Sequence, residues 1–209
     1  REWAIDFAGA HLFHPSTFAK KMEIYIILLL IFPFGSWASA NQDLPKPPIG
    51  FNWVSILDNK SALLKPEGWH FRKDHSQGVD AYFISKEKVE GGSEFNTGLS
   101  LNVIYNVKKT TNVSPTQYAA AMVLGLEKKY GVNIIDSGVK KSEPFMTLFC
   151  RFKDHQPGLE DVIIHYFFIA NDETETLWMF FYEAPEREWD AAWKTGTVLL
   201  KHLLIESEI

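Results

Sequence analysis

Two groups of histidine and acidic residues are the part of this sequence best suited to chemistry, because imidazole and carboxylate groups are common metal ligands. The first group contains His70, Asp74, His75 and Asp80, and the second contains Asp154, His155, Glu160, Asp161 and His165. Neither group has the spacing of a known ligand set, such as two histidines four residues apart on one helix face. The candidate metal ligands are His70, Asp74, His75, His155 and Asp161. The competing interpretation is that they are solvated turn residues.

Aromatic residues in the first third of the predicted domain form a second candidate site. Phe51, Trp53 and Trp69 are the candidates for a ligand pocket or a protein-docking patch, because aromatic side chains often anchor interfaces. Phe71 and Tyr82 follow in the same stretch. The alternative is that these rings pack under a sheet.

Other residues that could take part in catalysis have simpler explanations. Cys150 is the only cysteine and lies in an alternating strand pattern, so we expect a buried, unreactive thiol. Glu183 and Glu186 bracket the start of a predicted helix, where carboxylates are stabilised by the helix dipole. The sequence has no Gly-x-Ser-x-Gly elbow and no phosphate-binding glycine loop. We therefore expect neither an enzyme nor a bound cofactor.

Composition and charge exclude one class of partner. Aromatic residues make up 14% of the chain, which argues against disorder. The formal net charge is −5, and no basic cluster is present to neutralise phosphates. We therefore do not expect nucleic-acid binding. We expect a protein partner or a small ligand.

Residues 22–40 have the pattern of a secretory signal peptide. Two lysines precede an apolar run at residues 24–34, and Ala38-Ser-Ala40 follows it. The run is shorter than the ~20 residues that span a bilayer. The sequence predicts cleavage near Ala40 and a periplasmic or secreted chain that meets the membrane only through this segment before cleavage. The alternative is an uncleaved anchor that tethers the domain.

The position of the predicted signal peptide divides the chain into an upstream segment, a linker and one domain. Met22 is a candidate start, which would leave residues 1–21 as an upstream segment that is not translated. Residues 41–50 contain three prolines and predict an extended linker. Residues 51–209 then form a single domain, long enough to bury a core.

The first half of this domain predicts strands followed by a helix. Residues 69–72 and 81–85 read as short strands. A longer strand over 98–107 places Leu99, Leu101, Val103, Tyr105 and Val107 on one face. A helix is predicted next. Ser114-Pro-Thr-Gln117 has the pattern of a capping box at its start, and Gly131 is expected to end it.

The second half predicts four more strands and a closing helix. The strand patterns cover residues 132–138, 145–152, 162–170 and 176–183, joined by short turns that favour antiparallel pairing. Residues 185–204 have an apolar face at helical spacing, on which Trp189 and Trp193 are expected to pack against the sheet. Two helices and an antiparallel sheet predict an α+β sandwich.

Three segments resemble the PsbP-like family. They are residues 64–69 (LKPEGW), the helix start at 114–118 (SPTQY), and residues 180–185 (FFYEAP), where an aromatic strand leads into the last helix. The resemblance covers about residues 51–205. It implies an α/β/α sandwich around a central antiparallel sheet. The family's basic N-terminal docking region has no counterpart in residues 41–50.

The resemblance implies binding rather than catalysis, because members of the family mostly act as binding or assembly factors. It transfers no functional residue to this chain. We therefore expect an exported, non-enzymatic binding or assembly factor. The alternatives are a small periplasmic metal-dependent protein or enzyme that uses the His and Asp groups, and a membrane-anchored domain.

Overall fold

The computed structural model describes residues 44–76, 78–89, 95–155 and 157–208, which form one unit. The predicted signal peptide and the first residues of the predicted linker lie outside the described residues. At the start of the described chain, the indole N–H of Trp53 donates a 2.6 Å hydrogen bond to the carbonyl of Pro45. This end of the linker is therefore held against the domain.

Nine strands within the described residues form two antiparallel sheets. A hairpin consists of β1 (Phe51–Ile56) and β2 (Ser61–Pro66). The large sheet contains β3 (His70–Ser76), β4 (Val79–Ser85), β5 (Gly98–Ile104), β6 (Ile134–Ser142), β7 (Phe145–Asp154), β8 (Val162–Asn171) and β9 (Thr176–Pro185). Its order is β3-β4-β5-β9-β8-β7-β6, so β9 pairs with both β5 and β8 and lies at the centre.

Three α-helices of the described chain flank the sheet: α1 (Val107–Thr111), α2 (Pro115–Tyr130) and α3 (Trp189–Lys201). Helix α2 packs on β7, β8 and β9, whereas α3 packs chiefly on β9 and β2. No helix in the described residues has the length and apolar character needed to cross a membrane.

Side chains of β9 enter both hydrophobic cores. Leu177 and Met179 point towards α2, and Trp178, Phe180 and Tyr182 point towards α3 and the hairpin. All five are fully buried. This arrangement is the predicted α/β/α sandwich around an antiparallel sheet, so the predicted fold class is confirmed.

The predicted caps of α2 are confirmed. The Ser114 hydroxyl accepts a hydrogen bond from the Gln117 amide at 3.3 Å, and the Gln117 side chain accepts from the Ser114 amide at 3.1 Å. The same hydroxyl donates to Asp172 in the β8–β9 turn. Gly131 ends the helix with a positive φ of 48°. The capping box therefore also links α2 to the sheet.

Two predicted elements, the strand over 98–107 and the last helix, have wrong boundaries. Val107 does not continue β5 but starts α1, because Asn106 takes a left-handed conformation with φ 54° that ends the strand. The last helix begins at Trp189 rather than at residue 185, since Pro185 still pairs with Val162. It ends before Leu204, whose backbone forms a bridge with Ala62.

The sequence also places the β6 strand too early. Residues 131–133 form a 3-10 turn after α2, and the strand then runs from Ile134 to Ser142. The hairpin of β1 and β2 was not predicted. Its turn uses Leu57, Asp58 and Asn59 at positive φ, so it lacks the glycine that usually marks such a turn.

Two glycines in helices should respond oppositely to alanine. An added Cβ at Gly196 in α3 would lie 2.8 Å from a ring carbon of Tyr182, which is buried and cannot move away. We expect Gly196→Ala to destabilise the fold by about 1–2 kcal/mol, because overpacking outweighs the gain in helix propensity. Gly125 in α2 has open space around it, so Gly125→Ala should stabilise by about 0.5–1 kcal/mol.

Urea unfolding of both variants measures these changes. A similar stabilisation by both alanines would contradict the tight contact between α3 and Tyr182.

Candidate functional site

The structure brings the candidate metal ligands together only in pairs. His75 Nδ1 lies 2.9 Å from Asp80 Oδ1 beside the β3–β4 turn, and His155 Nδ1 lies 2.6 Å from Asp161 Oδ1 beside the β7–β8 turn. Asp80 also accepts from the Tyr105 hydroxyl at 3.1 Å. Each pair therefore joins the two ends of a hairpin turn.

The remaining candidate ligands do not extend either pair into a site. His70 is exposed at the far end of β3, opposite Ser85. Asp74 accepts a hydrogen bond from the backbone amide of His75. Within the described residues, no three His, Cys, Asp or Glu side chains are arranged to hold a metal ion. Metal binding stays a prediction, with two ligands available at each pair.

Cys150 is buried, as expected. It has no exposed surface and lies among the side chains under α2. Burial raises the pKa of its thiol to about 11, and the charges of Glu127 and Asp136 contribute in the same direction. The thiol is therefore protonated at neutral pH and is a poor nucleophile.

The three aromatic candidates for a docking patch lie at the hairpin end of the domain. Phe51, Trp53 and Trp69 are partly buried and pack against the core beneath α3 and the hairpin. The carbonyl of Trp69 also accepts a hydrogen bond from the Lys65 ammonium at 2.9 Å. Their packing contributes to the fold, and their role in binding a partner stays a prediction.

A different part of the sheet combines partly exposed aromatic side chains with an arginine that forms no ion pair within the described residues. We define the Arg151 face as the half-exposed side chains on the α3 side of β7 and β8, together with the tryptophan of α3 that borders them. Its members are Phe145, Thr147, Phe149, Arg151, Phe167 and Trp193. Because strand residues alternate between faces, the β7 members lie opposite Leu148, Cys150 and Phe152 of the core under α2.

The guanidinium of Arg151 lies over the tryptophan rings of α3. Its guanidinium carbon is 4.1 Å from the ring centre of Trp193 and 5.4 Å from that of Trp189. Its Nε is buried and has no hydrogen-bond partner among the described residues. Burial lowers the pKa of Arg151, and Asp136, its neighbour on β6, partly opposes that shift. Within the described part of the chain, the cation is therefore held by aromatic rings and not by an ion pair.

His165 lies directly opposite Arg151 on β8 and is only 5% exposed. Its ring packs edge-on against Trp193 at 4.7 Å and is also close to Phe149 and Phe167. Burial, and secondly the charge of Arg151, lower its pKa to about 3. Its Nδ1 has no hydrogen-bond partner in the described part of the chain. A neutral imidazole with this pKa is poorly suited to acid–base catalysis near pH 7.

Tyr182 continues this row of residues across the sheet and fixes α3 in place. It lies opposite His165 on β9, and its hydroxyl donates a 2.6 Å hydrogen bond to the carbonyl of Ala192 in α3. The close approach at Gly196 keeps the helix against this ring. The position of Trp193 over Arg151 therefore follows from the contact between Tyr182 and α3.

The sequence did not identify the Arg151 face. Trp193 was interpreted as core packing, and β7 was read as an ordinary alternating strand. One signal was available, because Phe145, Phe149 and Arg151 fall on the face of β7 opposite its buried residues. Which side of this strand a helix leaves uncovered depends on where α3 packs, and that position is a tertiary property.

Solved structures similar to this chain were found, although no family model and no curated protein sequence matches it. One is the solution structure of cyanobacterial PsbP (CyanoP) from Synechocystis sp. PCC 6803, with 12% identity and a TM-score of 0.47. It covers 80% of this chain and 98% of its own.

A second is the Ran-binding protein Mog1p of Saccharomyces cerevisiae, also with 12% identity and a TM-score of 0.47. It covers 74% of this chain and 95% of its own. Both proteins belong to the family that the sequence resembles. At this identity the likeness concerns the fold alone.

The buried His165 should make stability depend on pH. The unfolded chain takes up a proton near pH 6.5, whereas the folded chain does so only near pH 3. The stabilisation is therefore complete above pH 6.5 and is lost as the pH falls towards 3, at about 1.4 kcal/mol per pH unit. We expect a loss of about 2 kcal/mol from this group between pH 7 and pH 5.

Urea unfolding at both pH values measures this loss. The variant His165→Phe should not show this loss of unfolding free energy between pH 7 and pH 5. The variant His155→Phe, which alters an exposed histidine, should still show it. Equal pH dependence in all three proteins would contradict the buried neutral imidazole.

Proposed function

We propose that this chain is a non-enzymatic binding module of an exported protein and that it binds a protein partner through the Arg151 face. One observation carries the proposal. The guanidinium of Arg151 is half-buried on Trp193, its Nε has no partner among the described residues, and aromatic side chains surround it. Asp136 is the nearby carboxylate, but it forms no ion pair with Arg151 within the described residues. Desolvating a cation without an ion-pair partner is costly in a domain that folds for stability alone.

A carboxylate of the partner would accept hydrogen bonds from the guanidinium N–H groups of Arg151 other than the buried Nε. A guanidinium is planar and has five N–H donors that suit two-pronged binding of a carboxylate. Phe149 and Phe167 would contact apolar groups beside that carboxylate. Arginine and aromatic residues are the side chains most often responsible for affinity in protein interfaces. The partner surface we infer therefore has an acidic side chain next to an apolar one.

Two buried residues with shifted pKa values support binding over catalysis. The pKa of Cys150 is raised to about 11 and that of His165 is lowered to about 3. A nucleophile or general base needs a pKa close to the working pH. The resemblance to a family of binding and assembly factors agrees with this interpretation.

The exported location rests on the signal-peptide pattern of residues 22–40. We expect the protein from a periplasmic extract of its natural host to begin at Asn41, which intact mass and N-terminal sequencing would measure. A chain that still carries residues 22–40 in the membrane fraction would contradict cleavage and support the anchored alternative.

Removing the charge of Arg151 should abolish partner binding and leave the fold intact. Arg151→Met keeps a long side chain over Trp193 but has no guanidinium. We expect at least a tenfold loss of affinity, because a desolvated charge pair is broken. The melting temperature should change by only a few degrees, since the lost cation–π attraction of about 0.5–2 kcal/mol is offset by the relieved desolvation.

Capture from a periplasmic extract on immobilised protein, followed by titration of the captured partner, measures this effect. Arg151→Lys should retain part of the affinity. Arg187→Met, which alters an exposed arginine outside the Arg151 face, should bind as the unaltered chain does. If Arg151→Met captures the same proteins with the same affinity, the partner binds elsewhere.

A further inference from the structure

Strand β6 is an edge of the large sheet with an unusual composition. Its outer backbone edge has no neighbouring strand in the sheet order. Seven large apolar side chains of the described residues are exposed, and two of them belong to β6: Ile135 at 51% and Val139 at 58%. A third, Val132 at 99%, lies in the 3-10 turn just before the strand. The opposite edge, β3, carries mostly charged and histidine side chains instead. The apolar surface therefore lies at the edge where β6 ends the sheet.

Edge strands are usually protected from pairing by lysines and bulges. Strand β6 has both, with Lys140, Lys141 and a bulge between Ile134 and Asp136. Lys141, however, forms an ion pair with Glu143 in its own chain. Lys140 lies opposite Thr147 and makes no ion pair within the described residues. One protective charge is thus neutralised, and the other has no counter-charge.

Two copies of β6 complement each other in one register. An antiparallel pair related by a two-fold axis through Gly138 places Asp136 of one copy opposite Lys140 of the second copy, and the symmetry forms this pair twice. Both side chains lie on the α3 side of the sheet, because residues separated by an even number share a face. The bulge lies outside the segment 136–140.

Neighbouring registers lack this complementarity. A centre on Ser137 places Asp136 opposite Gly138, and a centre on Val139 places it opposite Ser142. Moving the two-fold centre by one residue along β6 in either direction therefore removes both Asp136–Lys140 pairs. Lys140 would disfavour pairing with most other strands, but it favours pairing with a second copy of β6 in the register centred on Gly138.

We propose that the chain forms a homodimer in which two β6 strands pair antiparallel around Gly138 and join the two large sheets. Val139 of each copy then lies opposite Ser137 of the other copy, with the two valines diagonal to each other. Their exposed apolar surface is covered by this contact. A two-fold axis perpendicular to the sheet keeps both Arg151 faces on the same side. The dimer goes beyond the proposed partner binding and does not depend on it.

Charge reversal tests the dimer and its register. The full chain, expressed with its own N-terminal segment and purified, should sediment as a concentration-dependent dimer. Asp136→Lys places two lysines opposite each other, and Lys140→Asp places two aspartates opposite each other. We expect each single variant to weaken dimerisation at least tenfold.

Mixing the two single variants should restore the dimer as a heterodimer, because opposite charges again face each other at both positions. The double variant Asp136→Lys/Lys140→Asp should dimerise by itself. Lys73→Asp, on the other edge strand, should not affect the dimer. A monomer at the highest soluble concentration, or a dimer insensitive to both reversals, would overturn the proposal.

Discussion

The whole structure depends on burying both faces of β9. This strand lies between β5 and β8, and its side chains enter the core under α2 and the core under α3 in strict alternation. A strand of this kind must be covered on both sides, so the chain needs a layer above and a layer below it. Tyr182 couples β9 closely to α3. Its ring packs against Gly196, and its hydroxyl donates a hydrogen bond to the carbonyl of Ala192. Placing β9 at the centre therefore also places α3.

The Arg151 face follows from the width of the sheet. Seven strands spaced about 4.8 Å apart measure about 29 Å across, whereas one helix and one two-stranded hairpin cover about 20 Å. On the α3 side, β7 lies at the margin of this cover, where Phe145, Phe149 and Arg151 are partly exposed. On the α2 side, the part away from the helix includes β5, where Ser100 and Asn102 are suited to water. The two regions are thus chemically different, because one has partly exposed aromatic rings and the other has small polar side chains.

Local patterns predicted the parts of the fold that local interactions determine. The capping box at Ser114, the stop at Gly131 and the strands from Phe145 onwards depend on neighbouring residues and short turns, and all of them are found. The hairpin of β1 and β2 was missed because its turn has no glycine or proline. The Arg151 face could not be predicted, since it arises where α3 stops covering the sheet. A side chain's exposure on a two-sided strand is set by the layer above it, which no local pattern describes.

The pairing of Arg151 with His165 indicates why a cation that has no ion pair among the described residues is tolerated at this position. The two basic side chains are directly opposite each other, and two adjacent positive charges would repel strongly in a half-buried site. The conflict is removed because His165 stays neutral, with its pKa lowered to about 3. The imidazole can then act as one more aromatic wall beside Trp193, at 4.7 Å. Arg151 keeps its charge, and its cost in stability is reduced by the rings and in part by Asp136, with which it forms no ion pair in the described chain. A cation held in this way is available to an acceptor from outside the chain, which is the property that a docking surface requires.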